Sequence, residues 1–157
     1  MDHVDQVKQT AEELLQNLEI EGVVSVAMDE TGAYRVHIET QETGLLIGFH
    51  GRTLESFQII LGIMVSKVIE SWVKVYVNVG DYREKREETL MHMAMRAAER
   101  VMATGRAVEL PDLTASERRV IHFERRVIHL TLGGDERVET ESIGDGSQRT
   151  LLVKPKI

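Results

Sequence analysis

No cysteine occurs anywhere in the chain, which removes disulfides, thiolate metal sites and thiol nucleophiles and fits a reducing, cytoplasmic home. No apolar run approaches the roughly 18 residues that a membrane span needs, and the opening MDHVDQVKQT is polar from the start. Neither secretion nor membrane insertion is read from this sequence. Positive charge is in short supply: 19 Lys and Arg stand against 26 Asp and Glu, a formal net charge of −7. That excludes the tight, non-specific hold of a basic protein on polyanions, so any phosphate-binding face must be a local patch of modest, salt-sensitive affinity. Catalytic signatures are missing too. There is no P-loop, HExxH or paired-carboxylate motif, and Ser116 is not at helical contact spacing from His122. No catalytic residue, cofactor or metal site is assigned, and the chain is read as not an enzyme.

What is present is a soluble composition, 42% hydrophobic and 29% charged over 157 residues, enough for one ordinary domain or two small ones. Val4, Val7, Ala11, Leu14, Leu15 and Leu18 recur at helical spacing, which predicts a helix over 2–18 with Asp2 as its cap. Val24, Val26 and Met28, then Tyr34, Val36 and Ile38, alternate as two strands of a hairpin around Asp29–Gly32. Leu45 to Ile47 predict a short helix, and Leu54, Phe57, Ile60, Leu61, Met64, Val65, Val68 and Ile69 a longer one. Val73, Val75, Val77 and Val79 predict a strand. The helix expected from Tyr82 to Thr104 opens on the charged run YREKREE, read as a solvated face, and ends on Gly105 as its cap.

The centre of this arrangement is Gly44–Leu54, GLLIGFHGRTL. Its two glycines, Gly48 and Gly51, bracket a turn that leads into a helix. Peptide without a Cβ lets a sugar-phosphate chain approach closely, and the unpaired N–H groups at a helix start favour an anion. Arg52 adds a full charge beside them. Twelve glycines in the chain make the spacing weak by itself. The bland alternative is that Phe49 belongs to the core and the glycines fit a tight helix–helix turn, although such a turn has few structural needs for both glycines.

The order α-β-β-α-turn-α-β, with IGxxGxxL across the turn, resembles a bacterial type II KH domain. The resemblance implies that Gly48, Phe49, His50 and Gly51 clamp about four nucleotides of single strand, with Ile47 and Leu54 beneath the bases. Phe49 and His50 stand where such domains usually carry Lys or Arg. Charge then falls to Arg52 and to a protonated His50, while Phe49 is suited to stack on a base.

In the second half, Glu117-Arg118-Arg119-Val120-Ile121-His122 is repeated letter for letter as Glu124-Arg125-Arg126-Val127-Ile128-His129. On a helix, Arg118, His122, Arg125 and His129 fall within an arc of about 60°, a stripe of donors, while Val120, Ile121, Val127 and Ile128 share another face. Glu124 projects into that apolar arc and needs a partner, exposure or a kink. His122 and His129 lie about 10 Å apart along such a helix, too far for one metal ion. ERRVIH resembles the signature of the R3H domain, a small module linked to single-stranded nucleic acids. Val138, Thr140, Ser142, Gly144 and Arg149 match that family's closing hairpin. Which copy of ERRVIH is the working motif stays open.

KH, long helix and R3H together resemble the bacterial Jag/KhpB family, also called SpoIIIJ-associated proteins, without the N-terminal Jag domain such proteins often carry. The expected architecture is α+β: a type II KH domain over 1–80, a connecting helix over 81–104 and a small R3H α/β domain over 105–157. The resemblance implies a non-catalytic regulator of RNAs tied to cell elongation and division. Single-stranded RNA is the expected ligand, with single-stranded DNA left open. A small KH-domain partner (KhpA) is also implied, and a homodimer is left open. The competing reading, motivated by Phe49 in the clamp and by the net charge, is a protein-interaction scaffold whose modules no longer bind nucleic acid.

Overall fold

Val7, Ala11, Leu14 and Leu15 repeat every three or four positions and bury one face of α1 (His3–Asn17). The computed structural model describes residues 2–110, 113 and 138–156. Two units, Met1–Arg83 and Glu84–Ile157, each carry their own core, and the secondary structure is mixed α and β.

In the first unit α1 is followed by β1 (Val23–Met28), β2 (Tyr34–Glu39), α2 (Thr43–Ile47), a short 3-10 turn (Phe49–Gly51), α3 (Arg52–Val68) and β3 (Val75–Val79). The sheet order is β1-β2-β3, with β1 antiparallel and β3 parallel to β2. A parallel pair requires a crossover, and α2, the turn and α3 supply it. Alternation does the rest: Tyr34, Val36 and Ile38 of β2 and Val75, Val77 and Val79 of β3 point into one core with α1 and α3.

Two local expectations change. The third strand starts at Val75 rather than Val73, which packs partly buried against the core. Asp2 does stand at the N-cap of α1 but makes no side-chain capping bond. The β1–β2 turn is instead organised by Asp29. Its Oδ1 accepts from the Thr31 amide at 2.9 Å, the Thr31 hydroxyl at 2.6 Å and the Ala33 amide at 3.1 Å. Its Oδ2 accepts from Arg35 Nε at 2.8 Å. These donors, the Thr31 hydroxyl foremost, hold the Asp29 carboxyl down at about 2.

In the second unit, α4 (Tyr82–Thr104) is more than a connector: Leu90, Ala94, Ala97, Ala98 and Val101 form one side of the core. Gly105 ends the helix at φ +65°, its amide donating to the Val101 carbonyl at 2.8 Å. A sheet of order β4-β6-β5 follows, from β4 (Val108–Leu110), β5 (Val138–Ile143) and β6 (Thr150–Pro155), all antiparallel. Leu151 and Val153 of the central strand are fully buried beside Val138 and Leu110. The hairpin expected within Val138–Val153 is thus the β5–β6 pair.

Candidate nucleic-acid interface

The glycine turn begins where α2 stops. Gly48 donates its amide to the Gly44 carbonyl at 2.9 Å and then leaves the helix at φ +69°, ψ −170°. A Cβ at Gly48 would lie 2.0 Å from Thr53 Oγ1, and one at Gly51, where φ is +78°, would lie 2.8 Å from Tyr82 Oη. Each glycine therefore has an intramolecular reason to be there, which corrects the expectation that such a turn has few structural needs for both. Between them His50 also adopts a left-handed conformation, φ +51° and ψ +31°. For a residue with a side chain this costs about 1–2 kcal/mol, and histidine is among the side chains that tolerate it best.

The turn aims its aromatic residue outward. Phe49 is 62% exposed, so the core alternative for this residue fails. Its ring stacks on His50 with centroids 4.0 Å apart and an interplanar angle of 18°. The Arg52 guanidinium carbon sits 5.8 Å from the Phe49 centroid, within the range of a cation–π contact. The result is a flat, cation-flanked platform at the mouth of α3, whose N-cap, Gly51, supplies no capping side chain. Leu46 and Leu54, 1% and 2% exposed, pin the turn to the core from both sides. Leu54, expected beneath the bases, thus seats the first turn of α3 and is closed to a ligand; Ile47 is half-buried, packed against the same core.

The KH-domain family model KhpA/KhpB matches residues 5–79, from α1 through β3. The RNA-binding protein KhpB of Clostridium symbiosum is 33% identical over 134 residues, which cover 85% of this chain and 57% of that protein. The chain belongs to the Jag/KhpB family. Its similarity extends to the RNA-binding protein KhpB of Bacillus subtilis (strain 168), 32% identical over 124 residues, 78% of this chain and 56% of that one. The protein of the same name from Lactiplantibacillus plantarum is 36% identical over 118 residues, 75% of this chain and 34% of its own length. The chain spans little more than half the length of the first two relatives.

The structure of the KH domain brings together Ile47, Gly48, Phe49, His50, Gly51 and Arg52 on one short segment. Arg118, His122, Arg125 and His129 lie outside the described residues. One feature of the domain escapes sequence reading. β3 is an edge strand, and the polar groups of Val77 on that edge are taken by side chains. The Val77 amide donates to Gln58 Oε1 at 2.9 Å, Arg83 Nη2 donates to the same oxygen at 2.7 Å, and Arg83 Nε donates to the Val77 carbonyl. Arg83, expected on a solvated charged face, instead closes a sheet edge, a common protection against edge pairing. No periodicity could have tied Gln58 to Arg83, 25 residues apart.

Proposed function

We propose that this chain is a non-enzymatic, cytoplasmic protein that binds single-stranded RNA through the glycine turn of its KH domain. The observation that carries the reading is the exposed Phe49 ring, stacked on His50 and flanked by Arg52. The exposed ring surface of Phe49 offers a stacking place for a base, a contact worth about 1–3 kcal/mol. Backbone peptide from Gly48 to Gly51 and the N-terminus of α3 then lie along the adjoining phosphates. The relatives' name, RNA-binding protein, supports the same ligand.

The wider assignment follows the family likeness: a KH domain over 1–80, a connecting helix over 81–104 and an R3H domain over 105–157. The Arg118, His122, Arg125 and His129 stripe forms a second grip on the strand. In this reading the protein regulates RNAs of cell elongation and division beside a small KH-domain partner such as KhpA.

The test is fluorescence anisotropy of the full chain with a short labelled single-stranded RNA. Phe49→Asp/His50→Asp, both at a surface turn, is expected to lose binding, and the wild-type affinity to fall steeply with salt. Unchanged affinity in the double variant contradicts the clamp. A parallel titration with single-stranded DNA of the same sequence decides which nucleic acid is preferred.

A further inference from the structure

Gly48, His50 and Gly51 all carry positive φ, +69°, +51° and +78°, and His50 does so with a side chain attached. A backbone of this kind persists only where its surroundings fix it. Thr53 stands beneath Gly48 and Tyr82 beneath Gly51. Thr53 belongs to the helix the turn leads into, whereas Tyr82 arrives from beyond β3, as the first residue of α4. The place that a Cβ on Gly51 would take lies 2.8 Å from Tyr82 Oη, 3.0 Å from Cε1 and 3.3 Å from Cζ. The edge of the ring fills the volume that any other residue at this position would need.

What holds the ring there is the residue after it. The Arg83 amide donates to Asn78 Oδ1 at 3.2 Å, Arg83 Nη2 donates to Gln58 Oε1 at 2.7 Å, and Arg83 Nε donates to the Val77 carbonyl. Asn78 Oδ1 also takes the Val79 amide at 3.0 Å, which fixes the acceptor to its own strand. An amide in the first turn of a helix has no carbonyl within that helix to bond, and Asn78 supplies one for α4. With Arg83 tied to both α3 and β3, Tyr82 has little freedom, and its ring packs half-buried against the first core. Both residues fall in the first unit, which ends at Arg83.

We propose that Tyr82 is the positioning residue of the RNA-binding turn. Its ring, seated by Arg83, keeps Gly51 and through it His50 in the left-handed shape that presents the peptide edge and the Phe49–His50 stack to a strand. The proposal rests on the reading of this turn as the clamp. Tyr82 itself touches no ligand, because its hydroxyl is buried. Without the ring the turn relaxes toward the conformations histidine prefers, and the apparent affinity falls with the fraction of molecules still shaped to bind. Bound RNA in turn favours the seated ring, since such linkage is reciprocal.

Anisotropy of the full chain with a short labelled single-stranded RNA, well below the unfolding midpoint, is the test. Tyr82→Phe keeps the ring and is expected to bind within about twofold of the wild type. Tyr82→Leu keeps much of the buried apolar volume without the flat ring edge, and is expected to bind roughly five- to tenfold more weakly, with unchanged circular dichroism. Val7→Ala loosens the same core from α1, away from the turn, and is expected to leave the affinity as it is. NMR reads the turn without RNA: the ring current of Tyr82 should displace the Gly51 Hα resonance in the wild type and in Tyr82→Phe, and not in Tyr82→Leu. Wild-type affinity in Tyr82→Leu, equal weakening by Tyr82→Phe or Val7→Ala, or a Gly51 resonance indifferent to loss of the ring overturns the proposal. Failure of the clamp reading looks different. In that case Phe49→Asp/His50→Asp binds as tightly as the wild type, and the role of Tyr82 in RNA binding falls with it, whatever the Gly51 resonance shows.

Discussion

The Gly48 Cα and the Thr53 side chain are packed so closely that a methyl group on the glycine would sit 2.0 Å from Thr53 Oγ1 and 2.7 Å from Thr53 Cβ. The glycine turn is thus a piece of packing before it is a binding site. Gly48→Ala is expected to destabilise the first unit by about 1–3 kcal/mol through its positive φ and this contact. Adding Thr53→Ala should recover only part of the loss, because the Cβ contact remains. Denaturant midpoints of the two variants check this. Glycine substitutions are accordingly poor probes of RNA binding, since they change the fold as well.

His50 separates the two effects. Its left-handed backbone is one that glycine adopts without strain, so His50→Gly is expected to leave thermal stability equal or higher. The same change removes the ring stacked on Phe49 and should weaken RNA binding several-fold. Thermal unfolding and anisotropy on the same sample give both readings.

The capped edge of β3 gives a third expectation. Gln58→Ala removes the acceptor for the Val77 amide, and Arg83→Ala removes a donor to the Val77 carbonyl. Each is expected to cost about 1–2 kcal/mol. In Gln58→Ala the Val77 amide should exchange its hydrogen faster, while Val36 and Ile38, inside the sheet, keep their protection. Amide exchange followed by NMR checks it.

Asp29 supplies the pH dependence. Its carboxyl is held at about 2 against an ordinary 3.8, chiefly by the Thr31 hydroxyl. The folded state therefore binds this proton less readily than the unfolded chain, and the group's contribution is fully present above pH 3.8. It is lost as pH falls through that value toward 2. The stability gap between the wild type and Asp29→Asn should narrow over that window, as measured by urea unfolding at several pH values.

Periodicity made most of the fold legible. Val7, Ala11, Leu14 and Leu15 announced α1, and the alternating valines of 75 to 79 announced β3. Turn chemistry placed Gly48, Gly51 and Gly105 where the backbone needs positive φ. The reason for each glycine was not legible, because Thr53 and Tyr82 reach the turn through packing that no spacing encodes. Leu54 illustrates the same limit, since its helical position fits a core and a binding floor equally, and only burial decides. The pairing of Gln58 with Arg83 depends on which side of a helix the sheet covers. A sequence read one segment at a time does not supply that.

A nucleic-acid strand lying on the Phe49–His50 turn can be caught in place by photocrosslinking. A short single-stranded RNA carrying 4-thiouridine would be irradiated with the full chain and the adducts mapped by mass spectrometry. Adducts are expected at Phe49 or within residues 47–52. Efficient crosslinking confined to other parts of the chain would contradict it.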